Sequence, residues 1–98
     1  MRMAEKPSRT PAEVAEIVAI RALAFLAGEP QLLGQFLSES GIGPQTLRAS
    51  AADPRFLAGV LDFIMRNDDT VKAFSDFSQF PPPTIAAARE ALGETLHG

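Results

Sequence analysis

Few residues in this chain are equipped for covalent or metal chemistry. It has no cysteine and a single histidine, His97. Without thiols there is no disulfide, no thiolate nucleophile and no Cys-ligated zinc. One histidine beside the last residue leaves a Ser-His-Asp triad or a His-based metal site without its parts. Asp62, Asp68, Asp69 and Asp76 are carboxylates of the kind that hold calcium or magnesium, but they lack the spaced loop, central Gly and terminal Glu of an EF-hand. Three of them also have a plainer use. Asp62 stands four residues before Arg66, the spacing of a helical ion pair, and Asp68 and Asp69 suit a helix N-terminus. The chain is therefore expected not to be an enzyme, and no catalytic, cofactor-binding or metal-binding residue is assigned.

What remains are residues that recognise rather than react. Arg21 falls among the apolar residues Val14, Ile17, Val18 and Phe25 at helical spacing. A guanidinium there needs a partner, because an unpaired charge is costly to desolvate. A carboxylate from another helix is the expected one, with the aliphatic stem lying on the core. Arg48 stands in the stretch 36–50, which has the outline of a helix-turn-helix: a helix ending at Gly41, apolar Ile42, then a second helix carrying Leu47. Gln45, Thr46 and Arg48 would be its exposed readers, but an ordinary corner between two helices is the plainer and favoured reading of the pattern. Phe77 and Phe80, ahead of Pro81-Pro82-Pro83, make a candidate contact patch. The proline run reads as a stiff connector or a polyproline II surface.

The elements that position these residues are helices. Of the 98 residues, 46% are hydrophobic, and Ala and Leu supply sixteen and ten of them against four Val and five Ile. Ala and Leu favour helix, whereas strands favour β-branched and aromatic residues. Thr10-Pro11-Ala12-Glu13 carries a capping box with proline at the first helical position, so a helix should run from 11 to 27 and stop at Gly28. It is apolar nearly all round, which suits a central position or a covering partner. Further helices are expected over 30–40, 44–51, 54–66, 68–78 and from about Thr84 to 96. The inward faces read as Leu32, Leu33, Phe36 and Leu37, then Phe56, Leu57, Val60, Leu61 and Ile64. Val71 and Phe74 follow, and then Ile85, Ala88, Leu92 and Leu96. Residues 29–37 and 53–61 match each other in an acid-Pro start followed by apolar pairs, a likeness that recurs wherever short helices pack. Gly34 and Gly59 lie inside two of these helices, where close approach of a neighbouring helix is the reading that excuses their cost.

The expected fold class is thus all-α, a compact bundle of five to six short helices. Its domain organisation is a flexible basic N-terminal tail over 1–10 and one helical domain over 11–98. Helix 11–27 should be central, with 30–40, 54–66 and 84–96 around it and the shorter helices in the corners. The tail carries a net +2 and the remainder −5, so the body is poorly suited to attract a phosphate backbone. The basic start lacks the apolar stretch of a signal peptide, and no segment offers the run of about 20 apolar residues that spans a bilayer. A cytoplasmic location follows as the expectation.

The order of several motifs resembles a small bacterial family described only as a domain of unknown function. The likeness rests on Ala22-Leu23-Ala24-Phe25-Leu26-Ala27, on Phe36-Leu37 before Gly41, and on Asp53-Pro54-Arg55-Phe56-Leu57. It continues through Val60-Leu61-Asp62-Phe63 to Phe74 and covers about residues 14–92. The resemblance implies a compact all-helical protein and transfers no catalytic residue.

Twenty-nine large apolar residues are many for so small a globule, and a surplus left outside makes a contact patch. The expected function is protein–protein interaction, as an adaptor or regulatory module with a protein partner or a second copy of itself. Arg21, Arg48, Phe77 and Phe80 are its candidate interaction residues, and no cofactor or membrane is involved. Two alternatives remain open: nucleic-acid binding through 36–50 with the basic start, and carriage of a small apolar ligand in a pocket closed by arginine.

Overall fold

Three of the helices start where a side-chain acceptor is followed by proline or acid: Thr10-Pro11, Asp53-Pro54 and Asn67-Asp68. In a computed structural model that describes residues 10–97, and only the backbone of Pro44 and of 94–97, α1 spans Pro11–Ala27. The Thr10 hydroxyl accepts from the Glu13 amide and the Glu13 carboxylate accepts from the Thr10 amide, closing the capping box. α2 spans Pro30–Ser40 and ends on Gly41, whose φ of 74° is the left-handed stop that glycine adopts freely. A 3₁₀ turn over Pro44–Thr46 leads into α3, Leu47–Ser50. α4 is Pro54–Met65, capped by the Asp53 carboxylate on the Arg55 amide. α5 is Asp68–Ser78, capped by Asn67, and α6 is Pro82–His97. The protein is all-α.

α6 begins two residues ahead of the expected Thr84. Pro82 and Pro83 are not a stiff connector or a polyproline II surface; they form the first helical turn. Proline is at home there, because the first amides of a helix have no internal acceptor and the ring already fixes a helical φ. The Pro81 carbonyl accepts from the amides of Thr84 and Ile85 at 2.9 and 3.3 Å and so starts the ladder.

α1, α4 and α6 pack against one another, and α5 lies across α1 and α4. The buried cluster draws Ala15, Val18, Ala19, Ala22, Phe25 and Leu26 from α1 and Phe56, Leu57, Ala58, Val60, Leu61, Phe63 and Ile64 from α4. Phe74, Ile85, Ala88 and Leu92 complete it from α5 and α6. α2 contributes less than its pattern suggests: Phe36 is buried edge-on to the rings of Phe56 and Phe63, while Leu32, Leu33 and Leu37 are half-buried. Leu96 and the tail 1–9 lie outside the residues whose side chains are described.

Two expectations about packing are corrected. Of the α1 stripe Val14, Ile17, Val18 and Phe25, only Val18 and Phe25 are buried; Val14 and Ile17 are 39% and 38% exposed, and the inner side is the one carrying Ala15, Ala19 and Ala22 as well. A helix apolar all round has no moment strong enough to choose its inner face, and small side chains let α4 and α6 come closest. Nor does any helix press on Gly34 or Gly59, since a Cβ built at either meets nothing within 4 Å. The paired starts at 29–37 and 53–61 also diverge: Asp53 caps with its side chain, whereas Glu29 makes no such bond.

Candidate interaction surface

Two of the acidic residues tie helices together. The Asp62 carboxylate accepts from Arg89 of α6, and Glu39 of α2 accepts from Arg66, the residue that caps the C-terminus of α4. The expected Asp62–Arg66 pair within α4 is therefore absent: each residue finds its partner on another helix. Arg66 also lies over the Phe63 ring at 5.1 Å from its centre, an arrangement that turns it toward α2 and away from Asp62. The hydrogen bond to Asp62 raises the Arg89 guanidinium above its ordinary pKa, against a smaller opposing effect of burial. Asp68 and Asp69 sit in the first turn of α5, where the helix dipole favours them, and Asp76 is exposed. Among the described residues no group of three or more His, Asp or Glu side chains converges as a metal site would require. The side chain of His97 lies outside the described residues.

Arg21 has a different partner from the one expected. Among the described residues no carboxylate pairs with it. Its guanidinium carbon sits 5.8 Å from the centre of the Phe77 ring, so an aromatic face takes the place of the acid. The reason lies in the position of the stripe: the turn that buries Ala22 carries Arg21 to the rim, where it stays hydrated and needs no counter-ion. Phe77 is 49% exposed and leans on Phe25 with 5.5 Å between ring centres. Phe80 is half-buried against Phe74, fixed by Ser75, whose hydroxyl donates to the Phe80 carbonyl at 2.7 Å. Ser78, buried, accepts from the Phe80 amide and donates to the Phe74 carbonyl. Of the expected pair, Phe77 is thus the one that faces outward.

Around Arg21 the outer side of α1 is apolar. Val14, Ile17 and Ile20 are exposed, Ile20 at 50%, and with Ala24 they stand at i, i+3, i+6 and i+10, on one side of the helix. Arg48 stands on the other flank. It lines an open groove of about 370 Å³ between α1 and α3, together with Ile20, Leu23, Ala24, Leu47 and Ala51. Arg21, Phe77 and Arg48 therefore border a single apolar face, and the half-buried Phe80 packs against Phe74 instead. Ile17 and Ile20, the central members of this face, are not among the candidate residues read from the sequence, where Ile17 shares a stripe with the buried Val18 and Phe25. No local signal separated the two sides: α1 is apolar on both, and the side carrying Ala15, Ala19 and Ala22 became the inner one only through packing with α4 and α6.

The stretch 36–50 takes a compact form. After Gly41 comes one 3₁₀ turn and then α3, a single α-helical turn of four residues on which Arg48 is exposed. Among the described residues no helix is long and apolar enough to cross a membrane.

Comparison with known proteins adds a family to this description. No curated protein and no solved structure matches the chain. The model of a family described as "Protein of unknown function (DUF3572)" matches residues 12–95, which run from the first turn of α1 to the last turns of α6 and take in the whole buried cluster. The chain belongs to that family.

Proposed function

We propose that this protein is a non-catalytic interaction module, an adaptor in the cytoplasm of a bacterial cell, that holds its protein partner on the outer face of α1. One observation carries the reading: Val14, Ile17 and Ile20 stand 39%, 38% and 50% exposed on a helix whose opposite side is fully buried. Isolated exposed apolar residues are ordinary, but a row of them bordered by arginine and phenylalanine has the composition of a contact surface. The groove beside Ile20 is open along its length, which favours an incoming side chain over an enclosed small ligand. Four residues of α3 offer little length to a major groove, and the acidic body repels phosphate, so the protein partner is favoured over nucleic acid.

The test is capture on the immobilised full chain from bacterial lysate, comparing the wild type with the double variant Ile17→Glu, Ile20→Glu. Met65→Glu, at another exposed apolar residue, serves as control. The double variant should lose the bound proteins while circular dichroism shows an unchanged helical content, and the control should keep them. Equal capture by all three would overturn the reading.

A further inference from the structure

The two sides of α1 divide one seven-residue pattern between them. Written as a heptad abcdefg with Ile17 at a, the buried residues Ala15, Val18, Ala19, Ala22, Phe25 and Leu26 all fall at f, b and c. The protein's own core therefore uses the side that a coiled coil leaves to solvent. The opposite seam holds Ile17, Ile20, Ala24 and Ala27 at a, d, a and d. Glu16 and Arg21 flank that seam at g and e, and both are exposed. Neither forms an ion pair within the chain among the described residues.

We propose that the occupant of this face is a second copy of the chain, with the two α1 helices parallel about a two-fold axis and Glu16 of each copy paired with the partner's Arg21. The proposal rests on the interaction surface inferred above and names what fills it. Charge complementarity selects the copy and its direction. In parallel coiled helices a g residue meets the e residue five positions later on the other strand, and Glu16 and Arg21 are five apart. The two-fold makes that pair twice. Antiparallel pairing would set Glu16 against Leu23 and Arg21 against Val14, leaving both charges on apolar neighbours. In the parallel arrangement Ile17 and Ile20 each meet their own copy. Ala24 and Ala27 then let the helices close toward their C-terminal ends. The seam spans only two heptads of a 17-residue helix, so the association is weak and concentration-dependent.

The test is sedimentation velocity on the full chain from about 1 to about 300 µM, a range that brackets a micromolar equilibrium. A monomer–dimer transition is expected. Glu16→Arg should weaken it about tenfold, and adding Arg21→Glu should restore it to within about threefold, because the doubled pair is rebuilt with its signs exchanged. Position gives a second readout, since the chain has no other cysteine. Ile17→Cys should cross-link to its own copy on mild oxidation. A monomer throughout the range, a trimer, or a dimer indifferent to Glu16→Arg would overturn the proposal. So would an Ile17→Cys chain that cross-links only to an Ile20→Cys chain, the antiparallel result. Circular dichroism of each variant identifies any that fails to fold, and the exposed Ala24→Cys then repeats the cross-linking at the next seam position. Failure here is separable from failure of the adaptor reading: a strict monomer that still captures proteins through Ile17 and Ile20 removes self-pairing alone.

Discussion

Gly34 and Gly59 illustrate how little a single residue's type says about its surroundings. Both sit in helix interiors among large apolar residues, a setting that suggests a neighbour pressed against the backbone. The space beside each is open. Without a close contact to protect, glycine at these positions is only a flexible residue in the unfolded chain and a gap in the folded one. Gly34→Ala should raise stability by about 1 kcal/mol, and Gly59→Ala should also stabilise, as midpoint shifts in urea unfolding would show. Arg21 makes the same point for charge. Its type announced a need for a partner, but whether that partner is an acid or an aromatic face depends on a rotation of α1 that no residue in α1 specifies.

At the scale of elements the local chemistry is strong. Thr10, Asp53 and Asn67 each place a side-chain oxygen on the first free amides of a helix. The Asn67 oxygen accepts from both Asp69 and Thr70, at 2.8 and 3.2 Å. Asn67→Ala should cost about 1 kcal/mol in chemical unfolding, with the loss concentrated in the first turn of α5 and visible as faster amide exchange there. The start of α6 was misjudged because a run of three prolines reads as a connector until its place is known. Proline blocks a helix interior and favours a first turn, so the same residues serve either purpose depending on where the ladder begins.

For the molecule as a whole, burial outweighs the ion pairs. The pairs Arg89–Asp62 and Arg66–Glu39 join α6 to α4 and α4 to α2, but their side chains are half-exposed, and such pairs contribute at most about 1 kcal/mol. Phe74 is fully buried, with its ring 5.6 Å from that of Phe25 and 6.3 Å from that of Phe80. Phe74→Ala should cost about 3–5 kcal/mol, a large part of the stability of a small domain, and appear as a marked drop in melting temperature. Phe77→Ala, three residues along but half-exposed, should cost far less in the same melt while removing the ring beneath Arg21.

The amino-acid sequence by itself determined the helices, because their signals are local: caps, prolines at first positions, glycine stops and the spacing of apolar residues act within a turn or two. It also marked most of the side chains that go inward from α4, α5 and α6, among them Phe56, Leu61, Ile64, Phe74, Ile85 and Leu92, but not the buried Phe63. Tertiary structure alone decided the orientation of α1. That helix is apolar on both sides, and the choice between them depends on which allows α4 and α6 to approach most closely. The answer is the alanine side. The same choice turned Ile17 and Ile20 outward, set Arg21 over Phe77, and left the face on which the proposed partner is held.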